Sequence, residues 1–303
     1  MASTEPVLEI KNLTKAFGAR TVVSDISFEV HRGEIFGFLG PNGSGKTTTI
    51  RMALGIIRPE SGWISILGGE PDRAALKRVG YLPEDRGLLR KVRVMDIVLY
   101  LGRLKGLSTS KAQERSNELL HRVGLYPHRN KKVESLSRGM TQLIQFVSAI
   151  IHEPEFIILD EPFAGLDPLN VQLMKQMLFE QRERGATIMF STHIMSDVEE
   201  LCERVALIAD SHLLLYGNLD EIKRNRGASA VRVRAPGIPP ALNTRRSQQR
   251  QGDMEFAIGE GRTSESILRA FLDAGIPVEN FELLLPTMND VFIQEVSRAR
   301  NLT

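Results

Sequence analysis

The sequence predicts an α/β protein with a mixed sheet core, an antiparallel β piece at its start, a helical insertion and a small C-terminal α+β domain. Three observations carry that expectation. Short runs of consecutive apolar residues, such as Phe156-Ile157-Ile158-Leu159, alternate with stretches of helical periodicity, as parallel strands buried on both faces and wrapped by helices do. The first thirty or so residues instead alternate apolar and polar side chains, the pattern of antiparallel strands with one wet face. Beyond Asp220 the composition shifts, which sets the expected domains at residues 1–220 and 221–303.

Taken in order, Val7 to Leu13 and Thr21 to Val30 read as the two half-wet strands, with Phe17-Gly18 between them. Glu34 to Leu39 is a short apolar run of buried-strand type, and Thr47 to Leu54 continues without a breaker as a helix. Pro59-Glu60-Ser61-Gly62 is a turn, followed by a strand at Trp63 to Leu67, where Trp63 reads as a core residue. From Val94 to Gly124 the apolar positions fall at helical spacing, so a helical subdomain is expected over about residues 85–152, including a helix after Ser137. The strand Phe156 to Leu159 then leads into helix Leu169 to Arg184, strand Ala186 to Phe190, helix Met195 to Cys202 and strand Val205 to Ala209. In the C-terminal part, Ala230 to Arg234, Met254 to Ile258 and Val278 to Leu285 read as strands. Thr263 and Thr287 cap two helices, and the polar stretch 236–252 reads as a mobile loop. No internal repeat is visible.

Bulk properties narrow the class. At 303 residues, 42% hydrophobic and 25% charged, the chain fits a globular protein with one large and one small domain. No apolar run reaches the ~20 residues that cross a bilayer, and Met1-Ala2-Ser3-Thr4-Glu5 has no signal-peptide character, so a cytoplasmic location is expected. Cys202 is the sole cysteine, which excludes an internal disulfide or a cysteine metal cluster and suits a small core side chain on a helix. Net charge is +2, and the segment after Gly227 carries nine Arg against nine Asp plus Glu, so no nucleic-acid partner is expected.

The chemistry is concentrated at Gly40-Pro41-Asn42-Gly43-Ser44-Gly45-Lys46-Thr47, which reads G-x-x-x-x-G-K-T between a strand and a helix. Glycines let such a loop wrap phosphate oxygens, and its amide N–H groups and the helix N-terminus supply positive potential. Lys46 adds a full charge for the β- and γ-phosphates of a nucleotide, the Thr47 hydroxyl suits Mg²⁺, and Thr48 follows in the same turn. Asp160, at the end of a buried strand, stands where a second Mg²⁺ ligand belongs, and Glu161 is placed to orient or deprotonate an attacking water. His193, just past another strand end, is a candidate for the γ-phosphate; the plain alternative is a structural histidine.

Leu136-Ser137-Arg138-Gly139-Met140, Gly165-Leu166-Asp167-Pro168 and Ser191-Thr192-His193 complete a set of five motifs in order with the two above. Together they resemble the nucleotide-binding subunit of ABC transporters over residues of roughly 5 to 220. The resemblance implies a P-loop NTPase of ABC ATPase type that binds ATP with Mg²⁺. It implies that Ser137 and Gly139 face the γ-phosphate of ATP held by a second ATP-binding subunit, identical or different. It also implies that Asp167 communicates between the two sites and that Phe17 stacks on adenine, a core aromatic being the alternative for Phe17. Two departures stand out. The loop Tyr81-Leu82-Pro83-Glu84-Asp85-Arg86 has Glu84 where many relatives have Gln, a residue that still suits Mg²⁺ but brings a negative charge toward the phosphate. Arg138 and Met140 stand in place of Gly and Gln, while Ser137 and Gly139 are retained.

The Tyr-Leu-Pro-Glu loop, the Leu-Ser-Arg-Gly-Met segment and the small C-terminal domain look most like ATPases of sodium- and drug-efflux-type exporters, which work with a separate transmembrane permease. The expected function is thus ATP hydrolysis driving a membrane exporter, with the chain peripheral on the cytoplasmic face of the membrane. A soluble ABC-type ATPase acting on ribosome or DNA is the alternative. The DNA-repair forms insert long coiled coils between the two motifs that here stand 90 positions apart at Lys46 and Leu136, with no sustained heptads. The ribosome-associated forms carry two cassettes in one chain, and this chain has one. A small-molecule kinase would have no use for Leu136 to Met140 or for Gly165 to Pro168.

Overall fold

The computed structural model describes residues 5–85, 87–242, 248–250, 253–259 and 261–300. Residues 243–247 and 251–252 of the stretch 236–252 expected to be mobile, together with Arg86 and the N-terminal residues 1–4, lie outside them. The chain divides into two compact units, Met1–Gly217 and Asn218–Thr303.

In the first unit β1 (Pro6–Phe17) and β2 (Arg20–His31) form an antiparallel hairpin that turns at Gly18, whose φ of 60° suits a residue without Cβ. β3 (Ile35–Leu39) is buried at every position and leads through the glycine loop into α1 (Lys46–Ala53). β4 (Ser61–Ile66) then pairs with β1, giving a three-stranded sheet of order β2-β1-β4. Trp63 on this edge strand is 46% exposed, with Lys11 Nζ 5.3 Å from its ring centroid, which corrects the expectation of a core tryptophan. An edge strand has one open side, and an indole covered by an alkyl-ammonium arm tolerates water there.

Next come α2 (Arg73–Lys77), capped by Asp72, and β5 (Val79–Leu82). The helical part follows as α3 (Val94–Leu104), α4 (Thr109–Arg122) and α5 (Arg138–Ile150). β6 (Phe156–Asp160), α6 (Pro168–Glu183), β7 (Thr187–Thr192), α7 (Met195–Leu201) and β8 (Arg204–Ala209) continue the β/α alternation. β9 (His212–Asn218) joins β8 through the two-residue turn Asp210-Ser211, both at positive φ, as a tight hairpin demands. The main sheet has the order β5-β6-β7-β3-β8-β9, with β5, β6, β7, β3 and β8 parallel. Because β3, β6 and β7 sit side by side at its centre, their C-terminal ends bring the glycine loop, Asp160-Glu161 and His193 to one edge. Cys202 is buried directly after α7, and a Cβ at Gly37 would stand 2.9 Å from its Sγ.

The second unit opens with α8 (Leu219–Arg224) and builds a sheet from β10 (Ala230–Arg234), β11 (Gln248–Arg250), β12 (Asp253–Ala257) and, after α9 (Ser264–Asp273), β13 (Asn280–Leu284). The sheet order is β11-β12-β10-β13, and α10 (Met288–Arg300) ends the unit. Its core is Val231, Val233, Met254 and Phe256 from one side of the sheet, packed with Leu242 of the turn after β10 and with Ile267 and Phe271 of α9. Alternation along β10 and β12 accounts for this: every second side chain points inward.

Candidate nucleotide site

The loop between β3 and α1 is built on backbone that only glycine tolerates. Gly40 and Gly45 have φ of 155° and 109°, and a Cβ there would meet the Ile208 carbonyl at 2.1 Å and the Val22 carbonyl at 2.3 Å. α1 starts from Gly45 with no side chain capping its first turn, so its leading N–H groups remain available to an anion. The adjoining cleft, of about 310 Å³, is lined by Asn42, Gly43, Gly45, Lys46, Thr47 and Thr48 from the loop and helix, by Phe17, Arg20 and Val22 from the β1–β2 hairpin, and by Glu84 and Glu161.

Lys46 is only 6% exposed, and its Nζ donates to the Gly40 carbonyl at 2.7 Å and the Pro41 carbonyl at 3.2 Å. Burial pushes its ammonium below the usual lysine range, opposed by Glu161, whose Oε1 lies 3.8 Å away, and by Asp160 and Glu84. Asp160 is wholly buried. Its Oδ1 accepts from the Ser191 hydroxyl and its Oδ2 makes no hydrogen bond; burial raises its carboxyl above the ordinary range, against the pull of the Ser191 and Thr47 hydroxyls. The Thr47 hydroxyl donates to Glu84 Oε2 at 3.2 Å. Among the described residues no three His, Cys, Asp or Glu side chains converge on a metal position. What converges is a hydroxyl and an unsatisfied buried carboxylate oxygen, with a second carboxylate at the hydroxyl. This sparse oxygen set fits Mg²⁺, which keeps most of its shell for water and phosphate.

Glu161 follows directly on β6 with φ of 50°, a left-handed conformation costing ~1–2 kcal/mol in a side chain with Cβ. The conformation is held from two sides: its N–H donates to Ser191 Oγ at 3.1 Å, and Gln142 Nε2 of α5 donates to the next carbonyl, Pro162 O, at 2.9 Å. The carboxylate then meets His193 Nδ1 at 3.0 and 3.1 Å. A half-buried carboxylate against an imidazole, beside a lysine and at the mouth of a phosphate-sized cleft, is an arrangement able to accept a proton from water.

Ser137, Gly139 and Asp167 do not line this cleft. Ser137 is the N-cap of α5, accepting from the Met140 N–H at 3.2 Å, and Asp167 is the N-cap of α6, accepting from Leu169 and Asn170 at 3.1 and 3.0 Å. The two caps lie against each other's loops: a Cβ at Gly139 would stand 3.2 Å from Gly165 O, and one at Gly165 would stand 2.8 Å from Arg138 Nε. Phe17 is 53% exposed at the cleft, with Lys15 Nζ 5.3 Å from its ring centroid. Sequence reasoning passed over Arg20 and Val22, whose one signal is their place just after the Phe17-Gly18 turn. It also assigned no task to Ser191 or Gln142, whose hydrogen bonds cross between elements and leave no local pattern.

Comparison with known proteins agrees with this geometry. Residues 23–164 match the ABC transporter family, and residues 217–296 match the family described as ATP-binding protein DrrA1-3-like, C-terminal domain. The uncharacterised ABC transporter ATP-binding protein YhaQ of Bacillus subtilis is 37% identical over 294 residues, 96% of this chain and 98% of that one. The linearmycin resistance ATP-binding protein LnrL of the same organism is 33% identical over 240 residues, 78% of this chain and 77% of that one. A solved ATP-binding subunit of an ABC transporter superposes with a TM-score of 0.69 at 33% identity, covering 73% of this chain and 93% of its own. The chain therefore belongs to the ATP-binding proteins of ABC transporters, with a P-loop ABC ATPase fold and a DrrA-like C-terminal domain, and is an ATPase whose hydrolysis is coupled to transport.

Proposed function

We propose that the chain is the ATP-driven subunit of an exporter, seated on the cytoplasmic face of the cell membrane against a separate transmembrane permease and paired with a second ATP-binding subunit. The observation that carries the pairing is that Ser137 and Gly139, at the N-terminus of a 13-residue helix, lie off the chain's own nucleotide cleft. That helix end is an anion site without a phosphate of its own to serve, which a second subunit's ATP would supply. The exporter assignment is supported by likeness to a linearmycin resistance protein and by the DrrA-like C-terminal match. A separate permease is in keeping with the described residues, where no helix is long and apolar enough to cross a membrane.

In this reading the loop from Gly40 through Ser44 to Thr48 wraps the phosphates of ATP, Lys46 donates to the β- and γ-oxygens, and Phe17 stacks on the adenine. Thr47, Asp160 and Glu84 would hold Mg²⁺, which when bound offsets phosphate charge. Glu161 takes the proton of the attacking water, and His193, with Nδ1 on that carboxylate, orients it and reaches the γ-phosphate through Nε2. Asp167 links the two sites of the pair. Binding of ATP closes the two subunits on each other, and loss of the γ-phosphate opens them.

The test is to tag the protein in its native cell, solubilise membranes in mild detergent with Mg²⁺ and ATP, and identify what co-purifies. A multi-spanning membrane protein in near-stoichiometric amount is expected. Recovery from the soluble fraction with ribosomes or DNA would overturn the exporter reading.

A further inference from the structure

One buried ammonium stands where three segments of the catalytic edge meet. Lys175 on α6 is 5% exposed, and its Nζ lies 2.8 Å from Asp197 Oδ1 and 2.6 Å from Glu200 Oε2, both on α7. It also sits over the Phe163 ring, 5.5 Å from the centroid. Each contact leads to the site. Asp197 is four residues past His193, on the first turn of the helix that the His193 loop enters. Phe163 is two residues past Glu161, across the stiff Pro162, and packs edge-on against Phe190 of β7 at 5.8 Å. α6 itself starts at the Asp167 cap.

At the His193 end of α7 the ion pair to Asp197 supplies a directional tie. The helix is seven residues long, its N-cap Ile194 has no side-chain cap bond, the Ile194 N–H donates to Thr192 Oγ1, and Met195, Val198 and Leu201 pack into the core, while just past its far end Glu203 exchanges hydrogen bonds with Ile35 of β3. Apolar contacts are non-directional, so they resist separation better than they resist sliding. A buried ion pair, by contrast, has one good geometry, and its hydrogen bonds set register.

We propose that Lys175 is a positioning residue for ATP hydrolysis, which through Asp197 and Phe163 fixes the His193 loop against Glu161 and ties both to the Asp167 segment. The inference rests on the roles of Glu161 and His193 given above. It assigns no contact with ATP to Lys175; its effect passes through the 3.0 Å spacing of His193 Nδ1 and Glu161 Oε1. Small displacements at such a pair are costly to turnover and nearly neutral to binding, because ATP is held elsewhere in the cleft.

The purified full chain carrying K175M is expected to lose about ten- to hundredfold in kcat, with the ATP dissociation constant within about twofold of wild type. K175R is expected to restore most of the loss. In an H193A background, K175M should cost little further turnover, since the His193–Glu161 spacing through which it acts is gone, whereas a purely structural lysine would cost the same factor in both backgrounds. Wild-type kcat in K175M, or an undiminished loss in the H193A background, overturns the proposal. Should K175M fail to fold because Asp197 is left buried and unpaired, K175M/D197L replaces the pair with apolar side chains. In that variant lowered kcat supports the proposal and wild-type kcat overturns it. An H193A protein with full turnover would instead overturn the His193 role itself, and is read from that variant alone.

Discussion

The two units use charge in opposite ways. In the first, Lys46, Asp160, Lys175 and Asp197 are buried, and the described residues of the second contain no buried charged side chain. The second unit carries its ions on the outer face of its sheet, where Arg234 pairs with Asp253 across β10 and β12, and Arg232 with Glu255 and Glu282. Ions cost several kcal/mol each to bury, and fold stability alone rarely repays it. Lys46, Asp160, Lys175 and Asp197 lie at the cleft and its supports, while the first unit also buries Glu34, paired with Arg204, and Arg115, paired with Glu118 and Glu153. Where the cost has been avoided, the fold is held by Val231, Val233, Phe256 and Phe271.

The largest effect expected in the first unit is at Glu161, beside the buried Lys46. Replacing its carboxylate by the isosteric amide in E161Q removes the proton acceptor and keeps the shape, so turnover should fall by about a thousandfold. ATP affinity should hold or tighten, because Lys46 Nζ, 3.8 Å away, then faces the phosphates without a competing anion. Steady-state ATPase rates and equilibrium nucleotide binding measure the two separately. Turnover within about tenfold of wild type would remove Glu161 from the proton transfer.

What could be read from the sequence depended on how local the cause was. β6 was legible because a strand buried on both faces must be apolar at every position, and the glycine loop because its φ values exclude other residues. β5 was not, since Gly80 and Tyr81 interrupt its apolar run. Gly80 is there because a Cβ would meet the Ala149 carbonyl at 2.2 Å, a contact made by a helix seventy residues on. β9 escaped for a different reason: five of its seven residues are only half-buried, and its sole marker was the Asp210-Ser211 turn. Trp63 was misjudged because residue type says nothing of whether a strand is central or edge. At the site, motif residues were visible and their supports were not. Ser191, Gln142 and Lys175 act through bonds between elements far apart in sequence.

A smaller effect is expected at His152, a half-buried titratable group of the first unit away from the cleft. Its Nε2 donates to the Val79 carbonyl at 3.2 Å while Nδ1 is buried without a partner. Burial, with repulsion from Lys105, lowers its pKa from 6.5 to about 4, against the Val79 bond. The unfolded chain therefore takes up a proton as pH falls through 6.5 and the folded chain does not until about 4. The resulting stabilisation is complete above the higher value and drains away between the two, to a total of ~3 kcal/mol. Chemical denaturation of wild type and H152Q across that range should show wild type losing stability faster as pH falls. Parallel curves would mean that His152 takes up its proton in the folded state as readily as in the unfolded one.

The smallest effect belongs to the outer face of the second unit, and it sharpens the comparison most. Arg234 and Asp253 make a bidentate pair at 2.7 and 3.1 Å, good geometry by any standard, yet more than half of the Arg234 side chain is in water. The guanidinium holds the Asp253 carboxyl below its usual range, so whatever the pair contributes is present above that range and lost as pH falls through it. Solvent and salt screen such a pair heavily. In R234A, hydrogen exchange of the β10 and β12 amides should stay near wild type, nearer still at high salt, while the Asp253 resonance titrates at an ordinary carboxylate pH. Faster exchange across the whole sheet would contradict that expectation: the charged face would then be bearing stability, and charge placement would no longer separate the two units.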